Sequence, residues 1–358
     1  MVRLFEPLKL RAVEIPNRVF MSPMCMFLAQ DGHPTAWHKV HCGARAVGGV
    51  GLVMVEATGI LPEGRISPGC LGLWSDDHVA SLRPIAEFIR AQGCIPAIQL
   101  AHSGRRASLQ IPAKGGAPLT VDEGGWTVVG PSALPFTSGY PIPHALGEEE
   151  LDWLADQYVA ATHRAIAAGF DIVEVHMAHG YLLHTFLSPI ANQRTDGYGG
   201  SWEGRVRFPL EVTQRVRMAL PDHLPLFVRV PATDWAAEGG WDLPQTIRFC
   251  SALREIGVDF IDVSSGGILD NEKLPTTPGF QVPFAAAIKA QSHIATGAVG
   301  LITDAHQAAE IVASGQADAV LLGRELLRNP HWPLYAAAEL EASVPWPHAY
   351  LRGKFRPK

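Results

Sequence analysis

The sequence predicts an α/β fold, a single (β/α)8 TIM barrel, and three observations predict it. Eight short apolar runs recur along the 358 residues, each followed by a helix-period pattern. Four consecutive runs end in a polar side chain whose parity turns it inward, toward the rim where barrels of this kind build their sites. Glycine-bearing segments follow the last two runs, where such barrels commonly hold a phosphate.

The predicted strands, in order, are Arg18-Val19-Phe20-Met21, Leu52 to Glu56, Ile95 to Leu100 and Ile172 to His176. They continue with Leu226 to Val230, Phe260 to Val263, His293 to Thr296 and Ala319 to Leu322. Pro96 sits awkwardly in the third, because proline cannot donate to a ladder. Helix-period patterns fall at 37–48, 77–92, 149–168, 203–219, 243–256, 281–291, 304–314 and 331–341.

A barrel needs about 250 residues, so roughly 100 are decoration on a single domain spanning 1–358. The Gly- and Pro-rich stretch 104–147 is too long for a plain βα loop and predicts a hairpin capping the barrel mouth. The first 16 residues are expected to plug the opposite end. The Pro-bearing tail 344–358 reads as extended.

Composition narrows the function classes. The chain is 47% hydrophobic and 18% charged with net charge −6 and no basic run, which argues against a nucleic-acid partner. No apolar stretch approaches the roughly 18–20 residues that cross a bilayer, and the N-terminus lacks a signal-peptide core, so no membrane partner is expected. Five scattered cysteines without a Cys-x-x-Cys pair exclude a zinc ribbon and disfavour an iron–sulfur cluster or a disulfide framework. The expected compartment is the cytoplasm.

Alternation places Met54 and Glu56 inside the barrel on the second strand, and Ala97 and Gln99 on the third. It places Glu174 and His176 inward on the fourth and Phe227 and Arg229 on the fifth. Successive buried polar groups require a shared network or a polar ligand. Glu56 and Glu174 read as structural; Gln99 and Arg229 read as ligand contacts. Gly297-Ala298-Val299-Gly300 and Gly323-Arg324 follow the last two strands, where glycines let backbone N–H groups approach an anion and Arg324 adds a charged fork.

The fourth strand opens into His176-Met177-Ala178-His179-Gly180-Tyr181. Imidazoles donate hydrogen bonds or bind metal, and a phenol delivers a proton. Two chemistries fit these residues alone. The pair could ligate zinc in a metal-dependent barrel hydrolase, although the spacing of three at a strand end differs from His-Glu-x-x-His and no third histidine is obvious beyond His102. Alternatively, the imidazoles clamp a carbonyl oxygen while Tyr181 supplies a proton.

The chain resembles the Old Yellow Enzyme family of FMN-dependent ene-reductases over essentially its full length. The residues that carry the resemblance are Asn17-Arg18, Ser22-Pro23-Met24-Cys25-Met26, Val55-Glu56-Ala57 and Gln99 through Arg105. With the His176–Tyr181 motif, they include the most specific stretch, from His179-Gly180-Tyr181-Leu182-Leu183 through Phe186-Leu187-Ser188-Pro189, Asn192, Arg194-Thr195-Asp196 and Tyr198-Gly199-Gly200-Ser201. The Pro-Met-Cys-Met start looks like the bacterial thermophilic-like subgroup that includes xenobiotic reductases.

The resemblance implies tightly bound, non-covalent FMN, reduced by NADPH or NADH, and no metal. It implies ping-pong reduction of activated alkenes such as α,β-unsaturated carbonyls, with hydride from flavin N5 and the proton from Tyr181. By similarity, Ser22, Pro23, Met24, Cys25, Ala57, Gln99, His176 and Arg229 contact the flavin ring, and Gly300, Gly323 and Arg324 its phosphate. His176, His179, Tyr181 and Phe27 face substrate. Phe27 stands where the subgroup usually has a tyrosine, so a hydroxyl contact is expected to be missing. Tyr350-Leu351-Arg352-Gly353 resembles a segment that lends its arginine to a neighbouring subunit, which implies a homodimer or homotetramer. From its short chain end and scattered cysteines, the chain is expected to fall outside the family branch with an iron–sulfur cluster.

Overall fold

The computed structural model describes residues 2–355, and at its centre eight parallel strands close into a barrel. An antiparallel hairpin, β1 (Leu8–Leu10) and β2 (Val13–Ile15), precedes it. The barrel begins with β3 (Val19–Met21), β4 (Leu52–Gly59) and β5 (Ile95–Ala101). After a loop bearing the two-residue strands β6 (Val129–Gly130) and β7 (His144–Ala145), it resumes with β8 (Ile172–His176). The remaining staves are β9 (Leu226–Pro231), β10 (Phe260–Ser264), β11 (Ala295–Ala298) and β12 (Ala319–Leu322), which pairs with β3 and closes the ring.

The helices are α1 (Ala36–Val47), α2 (Asp77–Ala91), α3 (Glu148–Ala167), α4 (Leu182–Leu187) and α5 (Trp202–Ala219). They continue with α6 (Leu243–Ile256), α7 (Val282–Ser292), α8 (Ala305–Ala313), α9 (Arg324–Arg328) and α10 (Trp332–Glu339). Among the described residues, no helix is long and apolar enough to cross a membrane.

Strand parity divides the core into two. Phe20, Leu52, Met54, Ala97, Phe227 and Phe260 fill the barrel, and Leu8, Val13 and Ile15 of the hairpin pack onto them at the amino-terminal end. Phe227 and Phe260 stack with ring centroids 4.5 Å apart. The opposite parity, Val53, Val55, Ile98, Val173 and Val228, faces the helices. Burying each large side chain contributes about 1.5–3 kcal/mol, so sliding one strand by a residue would forfeit several such terms and bury charge instead.

Four local expectations differ from the structure. The seventh strand starts at Ala295, because His293 takes a left-handed conformation (φ +53°) and caps α7. Gly297 therefore lies within β11, where a side chain would collide with Leu321 and Phe260. The capping segment forms no hairpin: β6 and β7 pair in parallel, among isolated 3-10 turns. The tail coils into a 3-10 turn over His348–Gly353. Pro96 is accommodated as the second residue of β5, where its carbonyl accepts from Asp171 N–H (3.0 Å).

Candidate active site

The His176–Tyr181 turn leaves the carboxyl end of β8 through two consecutive left-handed residues, His179 (φ +61°) and Gly180 (φ +72°). A non-glycine residue held at positive φ costs of order 1–3 kcal/mol and persists only where its surroundings over-determine it. They do so here from two sides. Arg106 Nη1 donates to the carbonyls of His179 (2.6 Å) and Gly267 (2.9 Å), tying the turn to the loop after β10. Gly180 N–H donates to His184 Nδ1 (2.8 Å) on α4. That bond leaves the proton of His184 on Nε2, which donates to Asp234 Oδ1 (2.8 Å). Asp234 Oδ2 accepts from Ser188 Oγ (2.6 Å) and Trp241 N–H (2.8 Å), and both His184 and Asp234 are fully buried.

The turn gathers three rings edge to face. Centroids lie 5.1 Å apart for His176–His179, 5.2 Å for His176–Tyr181 and 6.4 Å for His179–Tyr181. His176 Nδ1 accepts the Ala178 N–H at 3.4 Å, which leaves Nε2 as its donor. His179 Nε2 lies 2.8 Å from Ser264 Oγ. Burial, reinforced by Arg229, holds both imidazoles well below the ordinary histidine range. Burial also raises the Tyr181 phenol, against the pull of the Arg106 guanidinium 5.7 Å from its ring centroid. Near neutral pH the three groups are therefore two uncharged imidazoles and a protonated phenol.

His179 and Tyr181 border a cavity of about 470 Å³ whose lining also includes Arg229, Gly300, Gly323 and Arg324; His176 stands behind them and is not part of that lining. The same cavity is lined by Arg106, Ser264, Glu272 and Arg328, none of which was expected from the sequence. Glu272 holds the loop after β10 by accepting the N–H groups of Gly267 (2.6 Å) and Leu269 (3.1 Å).

Each inward strand end finds a partner. Gln99 Nε2 donates to Glu174 Oε1 at 2.8 Å, and Arg229 Nε stands 3.0 Å from Asp262 Oδ2. Glu56 accepts the Met26 N–H (3.1 Å) and lies 3.3 Å from His38 Nε2, so it fixes the loop that carries Cys25. A register shift between Val55 and Thr58 marks a bulge at Glu56-Ala57, beside that loop. Asp262 and Ser264 share the inward parity of Phe260, so alternation carried on to the sixth strand would have found them.

At the end of β3, Ser22 N–H donates to Leu322 O (3.0 Å), while its buried hydroxyl has no partner. Pro23, Met24, Cys25 and Phe27 follow, all half-buried, with Phe27 at φ +55°. The Cys25 thiol is raised well above its ordinary pKa by contact with the Cys70 thiol and by burial, so it is a neutral thiol. A side chain on Gly323 would meet only Met24 Sδ (3.7 Å) and Ser22 (3.9 Å), so the protein itself leaves that backbone open to a ligand. Arg352 is exposed in the tail, whose Tyr350 packs against His331 (5.9 Å), and it does not line its own chain's cavity.

Metal ligation by His176 and His179 would need further donors. Among the described residues, no three His, Cys, Asp or Glu side chains are arranged to hold an ion.

Residues 3–343 match the NADH:flavin oxidoreductase / NADH oxidase family. The NADPH dehydrogenase of Geobacillus thermodenitrificans is 42% identical over 352 residues, covering 98% of each chain. That of Bacillus subtilis is 42% identical over 353 residues, covering 98% of this chain and 99% of its own. Among solved structures, morphinone reductase superposes with a TM-score of 0.78 at 28% identity, covering 96% of this chain and 91% of its own. The Old Yellow Enzyme homologue from Zymomonas mobilis gives the same TM-score and identity, covering 96% and 94%.

Proposed function

The chain belongs to the Old Yellow Enzyme family of NADH:flavin oxidoreductases, and from that membership we propose that it binds FMN and uses NADPH to reduce the C=C bond of activated alkenes such as enones. The observation that carries this reading is the neutral, convergent His176–His179–Tyr181 cluster, of which His179 and Tyr181 line a cavity together with Arg106, Arg229, Arg324 and the open Gly323.

The residues present fit FMN. Arg324 supplies a cation for a phosphate, Gly300 borders the cavity, Gly323 leaves its backbone open, and the unpartnered Ser22 hydroxyl stands ready for a polar ligand. Gln99 and Arg229 would hold the pyrimidine end, with Pro23, Met24, Cys25 and Ala57 along the ring. FMN, once bound, supplies hydride-transfer chemistry.

The chain's own residues do the rest. N–H groups of His176 and His179 hold the substrate oxygen, drawing electron density from the β-carbon and stabilising charge that accumulates on oxygen. A preorganised donor of this kind contributes roughly 2.7–4 kcal/mol to a barrier. Because burial keeps both rings neutral, they serve as donors without surrendering a proton. Tyr181 delivers its phenolic proton to the α-carbon, and Arg106 stands by to stabilise the phenolate that remains. Phe27, lacking a hydroxyl, favours substrates with apolar rings. Arg352, beside the exposed apolar Tyr350 and Leu351, would complete the site of a neighbouring subunit in a homodimer or homotetramer.

Turnover of 2-cyclohexenone with NADPH in D2O tests the reading. It predicts saturated ketone with solvent deuterium at the α-carbon and none at the β-carbon. Absence of turnover, or solvent label at the β-carbon, would overturn it.

A further inference from the structure

Beneath the cavity, four consecutive staves contribute one buried polar layer: Gln99 from β5, Glu174 from β8, Arg229 from β9 and Asp262 from β10. Gln99 and Glu174 are register partners, as are Arg229 and Asp262. Glu174 and Asp262 are fully buried, and Gln99 and Arg229 nearly so. The layer contains two carboxyl groups and one guanidinium. Glu174 Oε1 accepts from Gln99, but Glu174 Oε2 and both oxygens of Asp262 lack a hydrogen bond. Arg229 Nε approaches Asp262 to 3.0 Å without the alignment of one.

With both carboxyls ionised, this layer would hold one uncompensated negative charge at a site where desolvating an ion costs several kcal/mol. One added proton removes that charge and supplies the missing donor. We propose that Glu174 and Asp262 share a single proton and act as positioning residues, setting the charge that Arg229 and Gln99 present to the flavin's pyrimidine end. This rests on the FMN reading above.

The groups acting on Glu174 are Asp262, Arg229 and Gln99, with His176 next but one on its own strand; Arg229 acts on Asp262. Burial, then Asp262, raises Glu174 to about 8, and burial raises Asp262 as well. The proton belongs to the pair, in the manner of closely coupled carboxyls. While it is held, one carboxylate balances Arg229 and the layer is neutral. Once it is lost, the layer is net negative and opposes an anionic ligand above it.

The test measures FMN dissociation by recovery of free-flavin fluorescence from about pH 6 to pH 10, in the wild-type protein and in Glu174→Gln. The wild type should lose affinity on the order of tenfold across the titration of the pair, and Glu174→Gln should show no such step. Coincident profiles would overturn the proposal. Infrared difference spectra near pH 7 and pH 10 of wild-type and Glu174→Gln protein, 13C-labelled at both aspartate and glutamate, provide a second readout that needs no flavin. A buried carboxylic acid C=O band that vanishes at the higher pH in the wild type and is missing from Glu174→Gln supports the shared proton, and a wild type with no such band near pH 7, or one unchanged in the variant, refutes it. A protein that shows this band yet binds no FMN would refute the functional reading and leave the proton pair standing.

Discussion

The carbonyl oxygen of Gly267 occupies the space that a β-carbon on Gly180 would need. The contact is reciprocal, since a β-carbon on Gly267 would fall on the backbone of His179. The turn that presents both histidines and Tyr181 is therefore built against the loop after β10, with Arg106 bonded to both sides. Gly180→Ala meets backbone, which cannot step aside, and adds a strained φ of +72°. The turn should be displaced, stability should fall by roughly 1–3 kcal/mol, and enone reduction should drop by more than stability explains. Chemical denaturation and steady-state turnover measured on one preparation check both parts.

Asp234 holds the same turn from the core side. Asp234→Ala would leave His184 Nε2–H, Ser188 O–H and Trp241 N–H without an acceptor in a fully buried site. The expected loss is roughly 3–5 kcal/mol, read as a lowered thermal midpoint. Asp234→Asn keeps an acceptor oxygen and should lose distinctly less.

Much of this was legible in the chain. The barrel strands announce themselves because runs apolar on both parities suit staves buried between core and helices, and the observed strands follow the eight predicted runs. His176, His179 and Tyr181 stand together because one strand end carries all three. What escaped depends on contacts far apart in sequence. His184 and Asp234 are 50 residues apart and meet only once α4 folds beside the loop after β9. Arg106 reaches across from the loop after β5, with no local pattern to set it apart from Arg105. The capping segment, lacking either periodicity, disclosed its length and not its shape.

Buried neutral histidines also bear on acid stability. Burial lowers His102 to about 4 and His41 to about 3, whereas in the unfolded chain each takes up its proton near pH 6.5. Their contribution is complete above about pH 6.5. It drains away as the pH falls toward those folded values, because the unfolded chain then binds the extra protons. Each group approaches a cost of about 1.4 kcal/mol per pH unit within that window, so the two together should remove roughly 3 kcal/mol between pH 6.5 and pH 5. Urea midpoints at those two pH values check this; equal midpoints would show that the rings are already charged in the folded protein.

The catalytic assignment of Tyr181 is tested most directly by following the visible flavin band anaerobically in wild type and Tyr181→Phe. NADPH should bleach both proteins at similar rates, since the phenol takes no part in that step. Added 2-cyclohexenone should restore the colour of the wild type promptly and of Tyr181→Phe about 10²–10⁴-fold more slowly, the usual worth of a positioned proton donor. Recovery of both proteins at one rate, or a purified protein with no band to bleach, would contradict the account.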